Sequence, residues 1–149
     1  MNVFDIIGPV MIGPSSSHTA GAVRLGRVAW KILGERAVRA EIQLSGSFAQ
    51  TYQGHGTDKA LVAGIMGMHS DDERIRNSLQ LAQDSGLAVT FQEIQLPGAH
   101  PNTARIALTG QNGGQAVVQG ASVGGGTILV TEINGLSVSL TGQYNTILV

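Results

Sequence analysis

The 149-residue sequence contains no cysteine. That excludes a disulfide framework, a thiolate nucleophile, a cysteine zinc site and any iron–sulfur cluster held by this chain alone. It fits a reducing compartment. Charge is also scarce: Asp, Glu, Lys and Arg make up 13%, about half the ~25% of an ordinary soluble domain. The net charge of −1 gives no electrostatic footprint for nucleic acid or an anionic membrane. Aromatics at 4% leave few stacking platforms for single strands. No apolar run reaches the ~18 residues of a membrane span, and the opening MNVFDIIGPVMIGPSSSH lacks the basic start of a signal peptide. A soluble, cytoplasmic protein is expected, with no nucleic-acid or membrane partner. What is plentiful is glycine, at 21 residues, against a usual share of ~7%. Apolar residues reach 42%, enough for a core in one domain or two small ones. So little solvating charge implies either a piece cut from something larger or a face kept against a partner.

The first half reads helical. Ser16 or Ser17 can cap a helix running to about Leu33, with Gly34 as its stop. Leu25, Val28, Ala29, Ile32 and Leu33 share one face of it, and Arg24, Arg27 and Lys31 another. Ala37 to Leu44 alternates as a strand, and Gly46-Ser47-Phe48 leads into a polar loop. Thr57 can cap a second helix, apolar almost all round and therefore buried between layers. Ser70 and Glu73 form a capping box for a third, which Gly86 ends. The period then changes. Leu87–Leu96, Thr103–Thr109, Gln115–Val123, Thr127–Ile133 and Leu136–Leu140 read as strands, with hairpin turns at Asn112-Gly113 and Asn134-Gly135. Helices early and an antiparallel meander late predict an α+β fold with helices on one face of a mostly antiparallel sheet.

Three segments could carry chemistry. Gly13 to Gly21 (GPSSSHTAG) gathers Ser16, Ser17 and Thr19 at a helix start, where free N–H groups attract anions and His18 could act as acid or base. A plain serine-rich cap is the simpler reading, but Pro14 and Gly21 suggest a rigid loop and a closely approached helix. In Gly54-His55-Gly56-Thr57-Asp58 the glycines let a ligand approach His55, and Asp58 could orient that imidazole or favour its charged form. Alternatively, Thr57 is a cap and Asp58 a favourable first-turn charge. In Pro97 to Thr103, Pro101 holds His100 extended beside Asn102, although a turn explains the same residues. His69 carries no role. Gly124-Gly125-Gly126 precedes a strand and reads as a bulge or turn, not a phosphate loop. No G-x-S-x-G nucleophile elbow supports a hydrolase, and there is no H-E-x-x-H and no metal-ligand spacing, so no metal site is expected on this chain.

In this order the motifs resemble the β subunit, or β domain, of the iron–sulfur-dependent L-serine dehydratases. The match rests on VFDIIGPVMIGPSSSHTAGA (3–22), GSFAQTYQGHGTD (46–58), HPNTA (100–104) and SVGGGTILVTEING (122–135). The resemblance implies deamination of L-serine to pyruvate and ammonia, in serine catabolism and gluconeogenesis. It implies a [4Fe–4S] cluster held by cysteines of an α subunit, so this chain alone should be inactive. It implies His18 and His55 as catalytic candidates. Ser16, Ser17, Thr19, Thr57, Asp58, His100 and Asn102 become substrate contacts. It also implies a fold similar to the anion-binding regulatory domain of some phosphoglycerate dehydrogenases, and a homo-oligomer of β domains. Residues 1–142 would form the β domain, and 143–149 would begin an ACT domain, broken off. The alternative is a non-catalytic, anion-binding regulatory or oligomerisation module, with Arg24, Arg27 and Lys31 lining its pocket.

Overall fold

The computed structural model describes residues 16–51 and 56–142; the side chains of residues 16–18 are outside the description. Helix α1 (Ser16–Leu33) is followed by strand β1 (Ala37–Gly46) and the short helix α2 (Ser47–Thr51). Helix α3 (Thr57–Ile65), a 3-10 turn (Glu73–Asn77) and helix α4 (Ser78–Ser85) come next. Strands β2 (Ala88–Glu93), β3 (Asn102–Gly110), β4 (Gln115–Gly124), β5 (Thr127–Ile133) and β6 (Leu136–Gly142) complete it. All six strands form one sheet in the order β2-β1-β3-β4-β5-β6. Every pairing is antiparallel except β1 with β2. The α+β architecture read from the sequence is the one observed.

Strand alternation sets the two sheet faces. Ile42 and Leu44 of β1, Ile106 and Leu108 of β3, Val118 of β4 and Val130 of β5 are all buried under the helices. The other face carries a polar row, Gln43, Arg105, Gln119 and Glu132, in register across four strands. Arg105 bridges Gln119 and Glu132 there, each at 3.2 Å. Helix α1 lies on the sheet with Leu25 against Gly120, and α3 lies on α1. At that crossing Gly26 and Gly64 face one another, and a Cβ on either would run into backbone of the other helix. Only glycine permits so close an approach. Helix α3 is buried over nearly its whole length, as its all-round apolar pattern predicts.

Four local expectations change. Strand β2 does not join the meander; it follows the helices and returns beside β1, parallel to it, as a crossover through helices permits. Residues 47–51 are helical, not loop, because the Pro101 carbonyl accepts the Ser47 N–H at 2.6 Å. Thr57 is the first helical residue and not the cap; Gly56, with φ 77°, holds that position. The capping box of Ser70 and Glu73 gives way to Asp72, which accepts from the Arg74 N–H at 2.8 Å and pairs with its guanidinium at 2.7 Å. Those two bonds hold the Asp72 carboxyl down at about 2. The stop at Gly34, with φ 75°, and the turns at Asn134-Gly135 are as read. Among the described residues no helix is long and apolar enough to cross a membrane.

Candidate functional site

The helices share a direction, and that decides where the site lies. Along α1, Val23 and Gly26 meet Leu61 and Gly64 of α3, while Arg27 and Trp30 reach Gly67 beyond its end. The two N-termini therefore open at one end of the molecule. Helix α4 follows suit: Ser78 at its start donates to the Lys59 carbonyl at 2.6 Å. Parallel helices align their dipoles, so the α1 and α3 starts together direct their first-turn N–H groups and positive potential to this end.

The same end of the sheet supplies the floor. Gly21, in the second turn of α1, rests on Ser122 near the end of β4; a Cβ there would lie 2.6 Å from the Ser122 Cβ. Asn102, at the start of β3, donates through Nδ2 to the Ser122 carbonyl at 3.4 Å and pairs with Gly46 at the end of β1. Its own N–H donates to Nδ1 of His100 at 3.0 Å, and the Thr103 hydroxyl donates to the His100 carbonyl at 2.6 Å. The His100–Asn102 turn is thereby fixed beside the α1 start. Arg24 donates to the Gly126 carbonyl at 2.6 Å, tying the glycine turn between β4 and β5 to the same helix.

Among the described residues, two buried polar atoms at this end have no hydrogen-bond partner: the Thr57 hydroxyl oxygen and Asn102 Oδ1. Thr57 is fully buried. Leaving such atoms unpaired is costly in a folded protein, and native structures tolerate few of them. Beside Thr57, Asp58 is nearly buried and accepts from the Lys59 N–H at 2.7 Å. Burial pushes its carboxyl above the usual value, and the Lys59 N–H and charge only partly hold it back. A raised carboxyl pKa means that ionisation opposes folding. Stability is fully present below the ordinary value and is lost as pH rises through the raised one. Asp58→Asn keeps the Lys59 contact and cannot ionise, so its melting temperature should exceed wild type at pH 7 and match it at pH 3. A pH series of thermal melts checks this; a gap that does not close in acid contradicts it.

Of the residues singled out from sequence, Thr19, Thr57, Asp58, His100 and Asn102 lie at this end. Ser16, Ser17 and His18 are on the first turn of α1 by backbone position; His55 lies outside the described residues. Thr19 is buried, whereas His100 is exposed. Ser122 was not singled out as a site residue. Its signal in the sequence was its place at the centre of Gly120-Ala121-Ser122-Val123-Gly124, at the start of the glycine run. The Arg24, Arg27 and Lys31 stripe does not line one pocket. Arg24 is bound at Gly126, and Arg27 donates to the Gly67 carbonyl at 2.7 Å while stacking 5.4 Å from the Trp30 ring. Lys31 is at the far end. Arg24 and Arg27 each hold a carbonyl, so the three cations do not form the shared anion pocket on which the regulatory reading leans.

A family model described as "Serine dehydratase beta chain" matches residues 2–84. The chain is 47% identical over 148 residues to the probable L-serine dehydratase, beta chain, of Bacillus subtilis, covering 99% of this chain and 67% of that one. It is 45% identical, with the same coverage, to the L-serine dehydratase, beta chain, of Peptoniphilus asaccharolyticus. L-serine dehydratase 2 of Escherichia coli is 30% identical over 159 positions, spanning 89% of this chain but 34% of that longer one.

Proposed function

Because this chain belongs to the serine dehydratase beta-chain family, we propose that it is the substrate-cradling half of an L-serine dehydratase, converting L-serine to pyruvate and ammonia with an α partner. The observation that carries this reading is the pair of unpartnered buried atoms, Thr57 Oγ1 and Asn102 Oδ1, at the end where two helices present their N-termini. A hydroxyl and helix N–H groups suit a carboxylate. An amide oxygen accepts and cannot donate, which suits an ammonium. Together they match the two charged ends of an amino acid.

The family resemblance implies a [4Fe–4S] cluster, and this chain's donors do not fit one. It has no cysteine, and no three His, Asp or Glu side chains among the described residues gather as ligands. We assign the cluster to the cysteine-bearing α partner. On this chain, Ser16, Ser17 and Thr19 hold the substrate carboxylate, with Thr57 and the helix N–H groups assisting. His18 or His55 takes the proton from Cα, and the other orients the substrate. Asp58, His100 and Asn102 complete the polar wall. Loss of the Cα proton and the β-hydroxyl leaves an aminoacrylate, which tautomerises and hydrolyses to pyruvate and ammonia. The relatives named as beta chains support a separate α companion. The E. coli relative, of which this chain spans a third, supports the same domain built into one longer chain.

The division into a β domain (1–142) and the start of an ACT domain (143–149) belongs to the same reading; residues 143–149 lie outside the described part. So do the homo-oligomer of β domains and the cytoplasmic setting. The test is anaerobic mixing of this chain with its α partner, followed by a pyruvate assay on L-serine. Turnover is expected from the mixture and not from this chain alone. Full activity of the α partner without this chain would remove the proposal.

A further inference from the structure

His100 sits in a turn that is held on several sides. Its Nδ1 accepts the Asn102 N–H at 3.0 Å, and its carbonyl accepts the Thr103 hydroxyl at 2.6 Å. Pro101, next in the chain, has no N–H and a fixed φ, and its carbonyl accepts the Ser47 N–H at 2.6 Å. Gly46 lies so close that a Cβ there would run into the Pro101 backbone. The imidazole is exposed, yet one of its two nitrogens is already engaged. A backbone N–H can only donate, so Nδ1 offers its lone pair and the ring proton is on Nε2. Asn102 shows the opposite polarity. Its Nδ2 is used on the Ser122 carbonyl, and its buried Oδ1 has no partner among the described residues. One turn therefore carries a donor, His100 Nε2–H, and an acceptor, Asn102 Oδ1.

We propose that this turn fixes His100 as the neutral Nε2–H tautomer and makes it a hydrogen-bond donor to the substrate carboxylate, not a base. The acceptor rests on the dehydratase reading; the tautomer rests on the turn alone. In this tautomer the only basic lone pair of the ring is that of Nδ1, and the Asn102 N–H occupies it. Such a ring does not take the Cα proton, which is left to His18 or His55. Nor does it give up its own, which a neutral imidazole holds too tightly for an acid. Of the polar groups of L-serine, the ammonium has no lone pair to accept with, and the β-hydroxyl leaves. The carboxylate persists through the reaction, and a hydrogen bond to a charged acceptor is the stronger kind. It shares Cα with the ammonium, as His100 shares a turn with Asn102.

Long-range proton–nitrogen correlation spectra of the chain, taken where imidazole is neutral, read the tautomer directly. His100 Nδ1 should resonate as an unprotonated nitrogen and Nε2 as a protonated one. The reverse pattern, or an average of the two, would overturn the proposal. In the assembly with the α partner, His100→Ala should raise KM for L-serine by about 10-fold, the loss of one hydrogen bond to a charged group. Its kcat should stay within about 3-fold of wild type. His100→Gln, whose amide N–H can stand near the place of Nε2, should recover most of that KM, which a merely distorted turn would not allow. A collapse of kcat in both variants with KM unchanged would make His100 the base and end the proposal. If the wild-type assembly makes no pyruvate, the dehydratase reading falls and the acceptor with it, while the spectra still decide the tautomer.

Discussion

Replacing His18 and His55 together by alanine is expected to lower pyruvate formation by the assembled enzyme by about 10³-fold or more. Proton transfer by a positioned side chain contributes ~10²–10⁴-fold, and neither of the other two histidines is assigned that role. His69 is exposed on the loop after α3. His100 is bound through Nδ1 to the Asn102 N–H. The single variants separate the two roles. The histidine that takes the Cα proton should lose kcat with KM little changed. The one that orients substrate should raise KM and retain part of kcat. Melting temperatures measured on the same variants separate a loss of chemistry from a loss of fold. Normal turnover by the double variant would sink the assignment of both residues, and equal small losses in each single variant would move the base to the partner.

The second large effect concerns stability. Gly64→Ala should destabilise the fold by ~2–4 kcal/mol, although alanine is the better helix former by ~1 kcal/mol. The added methyl would lie 2.9 Å from the Arg27 nitrogen and 3.0 Å from the Gly26 Cα, and closer still to the Val23 carbonyl. These are backbone atoms, which cannot turn aside as a side chain can, so the two helices must part. Overpacking of this kind costs ~1–3 kcal/mol or more. In a protein of this size each kcal/mol moves the melting temperature by ~2–4 °C. Urea unfolding should show a lower midpoint with an unchanged slope. A stabilised Gly64→Ala would show that the helices do not meet at this crossing. Gly26→Ala meets the Leu61 carbonyl and the Ile65 nitrogen in the same way and should behave alike.

Much of this fold was legible because it is written in local patterns. Alternation places β3, β4, β5 and β6 within a few residues, and Asn-Gly pairs mark two of their turns. What was not legible depends on partners distant in sequence. The helix at 47–51 is shorter than any period can reveal, and its first N–H is held by Pro101. Asp71, Asp72 and Glu73 all qualify as first-turn acids, and the choice of Asp72 rests on how Arg74 folds back upon it. Nothing in the helical patterns marks Gly26 and Gly64 as a pair. Only their meeting explains them. At the candidate site the motifs marked the α1 start, the α3 start and the His100–Asn102 turn, which the fold brings to one end, while the place of Ser122 beneath α1 and the unpartnered state of Thr57 and Asn102 needed three dimensions.

The tie from Arg24 to the Gly126 carbonyl spans 102 positions. A ribosome adding ~5–20 residues per second needs ~5–20 s to deliver the second partner after the first. During that interval α1 has α3 to lean on, through the glycine crossing, but its sheet-facing side has no strand beneath it until β3, β4 and β5 emerge. The nascent chain therefore carries an unroofed apolar helix for most of its synthesis. A slowed ribosome or a premature stop within the meander should leave this protein with holdase chaperones, or in aggregates, more readily than a lesion in its first helix pair would suggest.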